Sequence, residues 1–404
     1  MPKTEIQNLL VVGIDTVPIA NSAKKAGYKI YAADYFGDID LQRVCSGCKA
    51  IIEQKRGKSS GRMESKFKPE AFLKMTKSLL EKYKIDAILL SSGLDGYFDV
   101  LYKLNDLVPI LGNPPKIIER VCEKRAFFKE LKCLGIAHPE TAIVKDIDEA
   151  KAASTEIGHP IVMKPTRGFG GVGIRIAQNS KEIEKAFLEI SLVSKDVLIQ
   201  QFIDGTHASV SFLVADKDVR VLTINEQLLG LRFLFQQEPF GYCGNIVPLY
   251  LAESIFERCK CIAEKIALHF GLKGSNGIDL VISKEGTPYV VEVNPRFQGS
   301  LECIEKVLGV NLVEAHINAC LYGSLPTARE SPTSCTRLIL YAPKRCIAPD
   351  LTVFPEVRDI PLPETIIEKG EPLCSVLTEG HSGNNSLENA RRVVKSIYDR
   401  LQAA

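Results

Sequence analysis

Two periods of apolar residues alternate along the first part of the chain. The segments NLLVVGI, YKIYAADY and IDAILLSSG, which begin at residues 8, 28 and 85, are almost continuous apolar runs of the kind that buried parallel strands show. The segments PIANSAKKAG and PEAFLKMTKSLLEKYK, which begin at residues 18 and 69, have the spacing of amphipathic helices. Strands that alternate with helices predict an open, doubly wound α/β sheet.

Polar residues at the ends of these strands lie where doubly wound sheets bind ligands. Gly13 and Asp15 follow the core of the first strand, and Asp34 ends the second. Asp34 has the position of a ribose-binding acid, but the glycine triplet of a dinucleotide-binding turn is missing. The pattern leaves two interpretations, a dinucleotide site or a scaffold whose strand ends touch substrate, and it favours the scaffold. The basic stretch at residues 53–68 is predicted to be a solvated loop.

A glycine-rich segment, TRGFGGVG, lies between two runs with the period of strands, HPIVMKP and IRIAQ. Its glycine spacing matches the letters of a dinucleotide-binding fingerprint, but that fingerprint requires a helix at the third glycine. Glycines that join two strands predict a flexible hairpin whose backbone N–H groups can turn towards an anion. We therefore predict a phosphate-covering lid with Lys164 on its stem, and an ordinary glycine-rich hairpin is the alternative. The lid glycines are Gly168, Gly170, Gly171 and Gly173.

The segment GIDLVISKEGTPYVVEVNPRFQGS, residues 277–300, predicts two apolar strands joined by a two-residue turn at residues 285–286. This register places Asp279 directly opposite Glu292, and Asn294 lies on the same face because side chains alternate along a strand. Like charges that face each other repel, so a cation between the two carboxylates is expected. The three oxygen donors predict a Mg²⁺ site that leaves positions for water and phosphate, and two acids that simply face water are the alternative.

Two further cations accompany this hairpin. Arg296 follows Asn294 by two residues and can offer a planar pair of donors to a phosphate or a carboxylate. The stretch KIIERVCEKRAFFKELKCLGI, which begins at residue 116, is predicted to be one amphipathic helix that carries Lys124. The prolines of LGNPP at residues 111–115 predict a domain boundary just before it.

Composition narrows the class of protein further. The 404 residues include 51 Lys and Arg against 49 Asp and Glu, a net charge of +2 that would not recruit nucleic acid or a membrane surface. A hydrophobic content of 45% is ordinary for a soluble enzyme, and MPKTEIQNLL lacks a signal-peptide core, so a cytoplasmic location is expected. The 12 cysteines are expected to be reduced, and the Cys45-x-x-Cys48 pair has no second pair at zinc spacing.

The order along the chain of a doubly wound region, Lys124 on a helix, Lys164 before a glycine lid, and an acidic hairpin resembles the ATP-grasp superfamily over roughly residues 1–325. The resemblance implies that the two lysines contact the phosphates of ATP and that the acidic hairpin holds Mg²⁺, for which Mn²⁺ is a substitute. The segment LIQQFIDG fills the place of the adenine-binding hinge, and a histidine where the family commonly has a ribose-binding acid is similar to the biotin carboxylase and carbamoyl-phosphate synthase branch. The residues that the resemblance implies in nucleotide binding here are Gln200, Gln201, Phe202, Ile203 and His207.

The implied fold is an α/β grasp fold with four units. They are a doubly wound pre-ATP-grasp domain at 1–114, a small subdomain with the lid at 115–196, a large subdomain with the metal hairpin at 197–330, and a C-terminal biotin-carboxylase-like unit at 331–404. The implied activity is that of a ligase, which activates a small carboxylate as an acyl phosphate and joins it to an amine, often an amino acid. Arg296 would stabilise the transferring group. A bicarbonate-activating enzyme and a non-catalytic nucleotide-binding protein are the alternatives.

The acceptor pocket and the assembly are less specified by the sequence. Residues 225–249 lie where the superfamily varies, and Arg232 and Tyr242 are candidates to line an acceptor pocket. The alternative is that Tyr242 belongs to the core and Arg232 is a surface cation. The expected partners are a small-molecule carboxylate and an amine. Neither nucleic acid nor a membrane is expected as a partner, and the sequence leaves open whether the protein forms a homodimer.

Overall fold

The computed structural model describes residues 6–168, 170–327 and 333–404, without the side chains of residues 64 and 65. The N-terminal elements are β1 (Asn8–Gly13), α1 (Val17–Lys25), β2 (Lys29–Asp34), α2 (Ile39–Val44), β3 (Gly47–Ala50), α3 (Met63–Lys66), α4 (Pro69–Leu80), β4 (Ala87–Leu90) and α5 (Phe98–Leu107). The strands form a parallel sheet in the order β3-β2-β1-β4. The doubly wound sheet predicted from the apolar runs is therefore confirmed.

Both faces of the N-terminal sheet are covered. Leu10 and Val12 of β1 lie in an apolar cluster with α4 and α5. Leu9 and Val11, which point the other way, lie in a cluster with α1 and with apolar residues of 297–317. This second cluster holds the N-terminal domain against the rest of the chain.

The sequence predicted a solvated loop at residues 53–68, but the backbone of this stretch also pairs with another part of the chain. The N–H of Gly57 donates to the carbonyl of Glu364, and the N–H of Ser60 donates to the carbonyl of Ile366, both at 2.9 Å. Many of its side chains are exposed, but its backbone pairs with the C-terminal part of the chain. Polar composition therefore identified the exposure of this segment and missed its backbone partner.

The next elements are α6 (Pro115–Cys122), α7 (Lys124–Cys133), β5 (Thr141–Val144), α8 (Ile147–Ile157), β6 (Ile161–Pro165), β7 (Arg175–Ala177), α9 (Ser180–Ser191) and β8 (Val197–Gln201). The four strands form an antiparallel sheet in the order β5-β8-β6-β7. Its apolar side packs against α8 and α9. This sheet carries the glycine-rich hairpin between β6 and β7.

The single helix predicted from residue 116 is two helices. α6 ends at Cys122 and α7 begins at Lys124, because Glu123 between them has an extended conformation with φ −71° and ψ 104°. The Glu123 carboxylate accepts from the N–H of Arg125 at 3.3 Å and from that of Ala126 at 2.7 Å, so it caps α7. The break places Lys124 at the first position of the second helix.

The third group of elements is β9 (Gly205–Ala215), β10 (Asp218–Leu229), β11 (Tyr242–Val247), α10 (Glu253–Phe270), β12 (Gly274–Ser283), β13 (Pro288–Asn294), α11 (Leu301–Leu308) and α12 (Leu312–Tyr322). The last group is β14 (Ser334–Tyr341), β15 (Cys346–Ile347), β16 (Val357–Arg358), β17 (Ile366–Ile367), β18 (Pro372–Gly380), α13 (Gly383–Tyr398) and β19 (Gln402–Ala403). Eight of these strands form one sheet in the order β13-β12-β9-β10-β11-β14-β18-β16, and β17-β15-β19 form a small one. The domain boundary predicted at 330/331 lies outside the described residues.

The two faces of the eight-stranded sheet have different neighbours. Val210 and Phe212 pack with α7 and α10 on one face. Val247 and Cys335 on the other face pack with α11 and α1. The second face therefore meets the N-terminal domain, and a ligand between the two would touch both. Among the helices in the described ranges, none is both long and apolar enough to cross a bilayer.

Candidate active site

The hairpin of β12 and β13 carries the predicted metal ligands. Asp279 lies directly opposite Glu292, as the sequence predicted. Gly277 lies directly opposite Asn294. Asn294 Nδ2 donates to Asp279 Oδ2 at 3.0 Å, so these two side chains share a face. The three oxygen-bearing side chains are therefore brought together.

The route to this pairing differs from the prediction. The turn is not a two-residue turn, because the N–H of Ser283 donates to the carbonyl of Thr287 at 2.9 Å and three residues lie between them. A bulge at Val291 then shifts the register by one residue. The two deviations cancel, and Asp279 again faces Glu292.

The two carboxylates have opposite pKa shifts. Burial, and then the negative charge of Glu292, raise the pKa of Asp279 to about 7. The positive charge of Lys124 lowers the pKa of Glu292 to about 2. Near neutral pH the pair therefore holds its second negative charge poorly, and a divalent cation between the carboxylates would relieve this repulsion.

The donor set fits Mg²⁺ that is bound together with a nucleotide. Mg²⁺ takes six oxygen ligands and commonly keeps water and phosphate among them. Two carboxylates and one amide oxygen leave positions for such ligands. Within the described ranges, no group of three or more His, Cys, Asp and Glu side chains is arranged for a metal ion.

Two lysines lie beside the acidic hairpin. Lys124 Nζ is 3.0 Å from Glu292 Oε2. Burial lowers the pKa of Lys124, but its acidic neighbours, Glu292 foremost, together outweigh burial and raise it. Burial, and then the charge of Lys124, lower the pKa of Lys164 to about 8. Two ammonium groups that disfavour each other in a partly buried site favour a polyanion such as a polyphosphate.

The glycine-rich segment is a hairpin, as predicted. β6, which carries Lys164, pairs with β7 in antiparallel register, so the glycines join two strands. Gly168 and Gly173 flank Pro165 at the base of the hairpin. Phe169 lies outside the described residues.

The lid hairpin rests on the segment that precedes β11. The carbonyl of Gly170 accepts from the N–H of Tyr242 at 2.9 Å. Gly171 has a φ of +74°, and a Cβ there would lie 1.9 Å from the carbonyl oxygen of Phe240. The ring of Phe240 meets His207 edge-on, with 6.0 Å between the ring centroids. The lid, this segment and His207 therefore form one contiguous wall, and burial lowers the pKa of His207.

The hinge after β8 leaves one backbone donor for a ligand. The buried amide of Gln200 donates to the Thr141 hydroxyl at 2.9 Å, so this side chain faces its own sheet. The N–H groups of Gln201 and Phe202 donate to carbonyls of nearby segments. Ile203 follows outside the strands, and no intramolecular partner is recorded for its N–H among the described residues. The adenine contact expected at the backbone of residues 201–203 stays a prediction.

Asp95, which the sequence analysis missed, holds Arg296. Its Oδ1 and Oδ2 accept from Arg296 Nε at 3.0 and 2.9 Å. Arg296 also donates from Nη2 to Asn294 Oδ1 at 2.9 Å and from Nη1 to the carbonyl of Phe297 at 2.8 Å. Asp95 lies in the loop after β4, so the rule that strand-end acids face ligands could have found it.

The two strand-end acids that the sequence analysis named, Asp34 and Asp15, have different hydrogen-bond partners. Asp34 is 1% exposed, and it accepts from the Thr16 hydroxyl at 2.8 Å and from the N–H of Gly37 at 2.7 Å. It shapes its own loop, which contradicts the dinucleotide interpretation. Asp15 Oδ2 instead accepts from Nη2 of Arg337 at 2.9 Å, and Arg337 is a second residue that sequence reasoning missed.

The two acceptor-pocket candidates also differ. Arg232 is exposed in a short 3₁₀ turn, as the surface-cation alternative expected. The Tyr242 hydroxyl accepts from Asn245 Nδ2, and its backbone N–H holds the lid. Tyr242 therefore belongs to the wall of the site.

The site therefore combines a doubly wound domain with two further sheets, the two lysines, a glycine lid and an acidic hairpin. Residues 121–300 match the model of the ATP-grasp domain family. The chain therefore contains an ATP-grasp domain, and the resemblance to this superfamily is confirmed. Enzymes of the family are ATP-dependent ligases that use Mg²⁺, which supports the coarse class of activity without specifying the substrates.

Relatives span the chain to different extents. The chain is 26% identical over 394 residues to an uncharacterized protein of Methanocaldococcus jannaschii, which covers 96% of this chain and 91% of that protein. It is 25% identical over 319 residues to the carbamoyl phosphate synthase large chain of Helicobacter pylori, over 76% of this chain. The chain spans only 28% of the length of that synthase.

Solved structures show the same fold. Biotin carboxylase from Campylobacter jejuni, in a β-γ-ATP complex, matches with a TM-score of 0.72 and 17% identity over 98% of this chain and 92% of that chain. The L-amino acid ligase from Bacillus licheniformis matches with a TM-score of 0.71 and 17% identity over 98% of both chains. At these identities, the likeness shows the fold alone.

Proposed function

We propose that the protein is an ATP- and Mg²⁺-dependent ligase that joins a small carboxylate to an amine. The observation that carries the proposal is the opposition of Asp279 and Glu292 next to Lys124 and Lys164. Two acids and two partly buried cations in one cleft are balanced when a metal and a polyphosphate bind together.

Each residue has a definite task in this proposal. Mg²⁺ at the hairpin would neutralise phosphate oxygens. Lys124 and Lys164 would offset the remaining charge of the phosphates. Arg296, held by Asp95, would stabilise the oxyanion that forms during transfer. The docked lid would exclude water, which otherwise hydrolyses an activated acyl group.

The reaction has two balanced steps. A carboxylate oxygen of the first substrate attacks the γ-phosphorus of ATP, the bond to the bridging oxygen breaks, and an acyl phosphate and ADP form. The nitrogen of the amine then attacks the acyl carbon, phosphate leaves, and the amine loses a proton. Both steps depend on positioning and on charge neutralisation more than on a covalent group of the protein.

A bicarbonate-activating enzyme is the second candidate. It is favoured by the similarity to carbamoyl phosphate synthase over 76% of this chain. ADP release that requires bicarbonate, and that no other carboxylate supports, would select this candidate. ATP binding without ADP release under any substrate combination would instead select a non-catalytic protein.

The test is a screen of ADP release with pairs of small carboxylates and amines in the presence of Mg²⁺. The variant Glu292→Gln should lose activity by roughly 10²-fold or more, because it removes one charge that holds the metal and the phosphates. Its circular dichroism spectrum should match that of the wild type. Glu285→Gln, in the exposed turn of the same hairpin, is the matched control and should keep activity. Turnover of Glu292→Gln close to that of the wild type would refute the assignment.

A further inference from the structure

A row of buried and partly buried polar side chains crosses the face of the eight-stranded sheet that carries Asp279. Asp279 lies opposite Ser209, Ser209 lies opposite Asn225, and Asn245 lies opposite Arg337. Paired residues share a face, and so do residues two apart on one strand, so the row is continuous. Across the sheet it runs through Asp279, Ser209, Asn225, Gln227, Asn245 and Arg337. It begins at the metal hairpin and ends beneath the N-terminal domain.

Arg337, at the far end of the row, is already neutralised. Its side chain is 2% exposed. Nη2 donates to Asp15 Oδ2 at 2.9 Å and to Asp359 Oδ2 at 2.7 Å, and Nη1 donates to the carbonyl of Gly299 at 3.2 Å. A guanidinium that already has two carboxylates has no charge left for an anionic substrate. This end of the row is therefore poorly suited to a carboxylate or a phosphate.

The charges around Arg337 leave a surplus of acid. Glu302, which is 9% exposed, lies 3.4 Å from Arg358. With Asp15 and Asp359 it makes three carboxylates against two guanidinium groups. Burial raises the pKa of Asp15 to about 7, so proton uptake relieves the surplus when no further cation is bound. The other charged side chains that act on this cluster are Asp34, Asp38, Asp40 and Lys25.

Three buried acceptor atoms around the row have no hydrogen-bond partner within the described ranges. They are Asn225 Oδ1, Asp359 Oδ1 and Glu302 Oε2. Asn225 is fully buried, and its Nδ2 donates to Ser209 and Ser211 at 3.3 and 3.1 Å, so its oxygen alone is unpaired. A buried acceptor without a donor destabilises the folded protein, because it has lost its hydrogen bond to water. A ligand with several N–H donors would satisfy such atoms.

We propose that this row binds a substrate that carries an ammonium or guanidinium group in addition to its reacting group. Basic amino acids are the chemical class that fits. The surplus carboxylates and the unpaired acceptors select a cationic donor, whereas the saturated Arg337 gives no advantage to an anion. The reacting group would lie at the Asp279 end and the cationic group at the Arg337 end. The inference rests on the proposed ligase function, since it assigns a substrate class to the same site.

The first measurement is binding without turnover. Isothermal titration calorimetry with Mg²⁺ and a non-hydrolysable ATP analogue compares L-lysine with L-norleucine, which has a similar chain without the charge, and with L-glutamate. Lysine should bind about tenfold or more tightly than norleucine, because a charged donor forms a stronger hydrogen bond to a buried acceptor than a neutral one does. Glutamate should bind most weakly. Equal affinity for lysine and norleucine, or no binding of any of the three, overturns the proposal.

The second measurement uses variants of the acid cluster. Glu302→Gln keeps the shape and removes one charge, so the affinity for lysine should fall about tenfold while that for norleucine stays the same. Glu314→Gln, on an exposed position of α12, is the control and should change neither. Asp15→Asn carries the same expectation and serves if thermal unfolding shows that Glu302→Gln does not fold.

The proposal can fail separately from the ligase function. ATP-dependent product from neutral or acidic amino acids, without a preference for lysine, overturns the substrate class and leaves the ligase standing. Lysine-selective binding without any product supports the site and counts against the ligase.

Discussion

Asp95 sets the orientation of Arg296. The Arg296 side chain is 13% exposed and donates to Asp95, to Asn294 and to the carbonyl of Phe297. Asp95 is the only acid among these three partners. Asp95 comes from the N-terminal domain, so that domain contributes to the site. Breaking one partner of a buried ion pair leaves the other charge without compensation.

Asp95→Asn should therefore act through Arg296. The amide still accepts a hydrogen bond but carries no charge, so kcat should fall roughly ten- to a hundredfold while the KM for ATP changes little. Steady-state kinetics of the wild type and the variant test this split. Asp99→Asn, on the exposed start of α5, is the matched control. A rise in the KM for ATP with unchanged kcat would show that Asp95 serves nucleotide binding instead.

The residues of the site differ in how far the sequence predicts them. Asp279, Glu292 and Asn294 lie on one hairpin, where strand periodicity alone brings them to one face. Asp95 and Arg296 are 201 positions apart, and no local pattern links them. Contacts between domains depend on how whole elements pack, and a periodicity of two or 3.6 residues carries no information about that.

The lid and the segment before β11 form one mechanical unit. Arg175, at the start of β7, donates to Glu238 at 2.5 Å and to Glu189 at 2.9 Å. The Arg175–Glu238 pair and the hydrogen bond from Tyr242 to Gly170 tie the lid to this segment, and the Tyr242 hydroxyl contacts Asn245 of the proposed substrate row. Lid position and substrate binding should therefore be coupled.

Gly171→Ala tests this coupling. A Cβ there would lie 1.9 Å from the Phe240 carbonyl, so the lid should no longer dock. We expect a higher KM for ATP and more ADP released without ligated product, because water enters. Comparison of ADP and product formation measures this uncoupling. Gly170→Ala is the matched control, since it has a similar positive φ of 63° with open space around it, and its effect should be much smaller. Equal uncoupling in both variants would show that backbone strain, not docking, is responsible.

The break between α6 and α7 shows the limit of prediction at the scale of elements. Apolar residues keep helical spacing across Glu123, so periodicity predicts one helix. The carboxylate of Glu123 instead caps the second helix, and Lys124 gains its contact with Glu292. The N-terminal strands were predictable from their continuous apolar runs and the glycine hairpin from its glycines, whereas a cap in a continuous pattern gives a much weaker signal.

At the scale of the whole molecule, His316 joins two domains. Its Nδ1 accepts from the N–H of Ser275 at 2.8 Å, and its Nε2 lies 3.1 Å from the carbonyl of Leu111, to which it donates as the neutral tautomer. Burial lowers the pKa of His316 from 6.5 to about 4. The folded protein therefore holds this ring neutral, whereas the unfolded chain takes up a proton below pH 6.5.

His316 should make stability depend on pH in a defined window. Its contribution is complete above pH 6.5 and is lost as the pH falls towards 4, by up to roughly 3 kcal/mol. The buried acids shift stability in the opposite direction, so the measured quantity is the difference in the free energy of unfolding between the wild type and His316→Gln. Urea unfolding of the wild type and of His316→Gln at pH 7.5 and 5 gives it. The gap between the two proteins should narrow at pH 5, and the exposed His381→Gln should show no such change. A gap that stays constant with pH would exclude the linkage.

The continuity of the eight-stranded sheet has a consequence for shortened forms of the protein. Residues 244–247 of β11 pair with β14, which belongs to the last part of the chain. A chain that stopped before β14 would expose the edge of β11, and exposed strand edges pair with strands of other molecules. Such truncation products should aggregate rather than survive as smaller enzymes, so proteolysis or premature termination near residue 330 would remove the protein altogether.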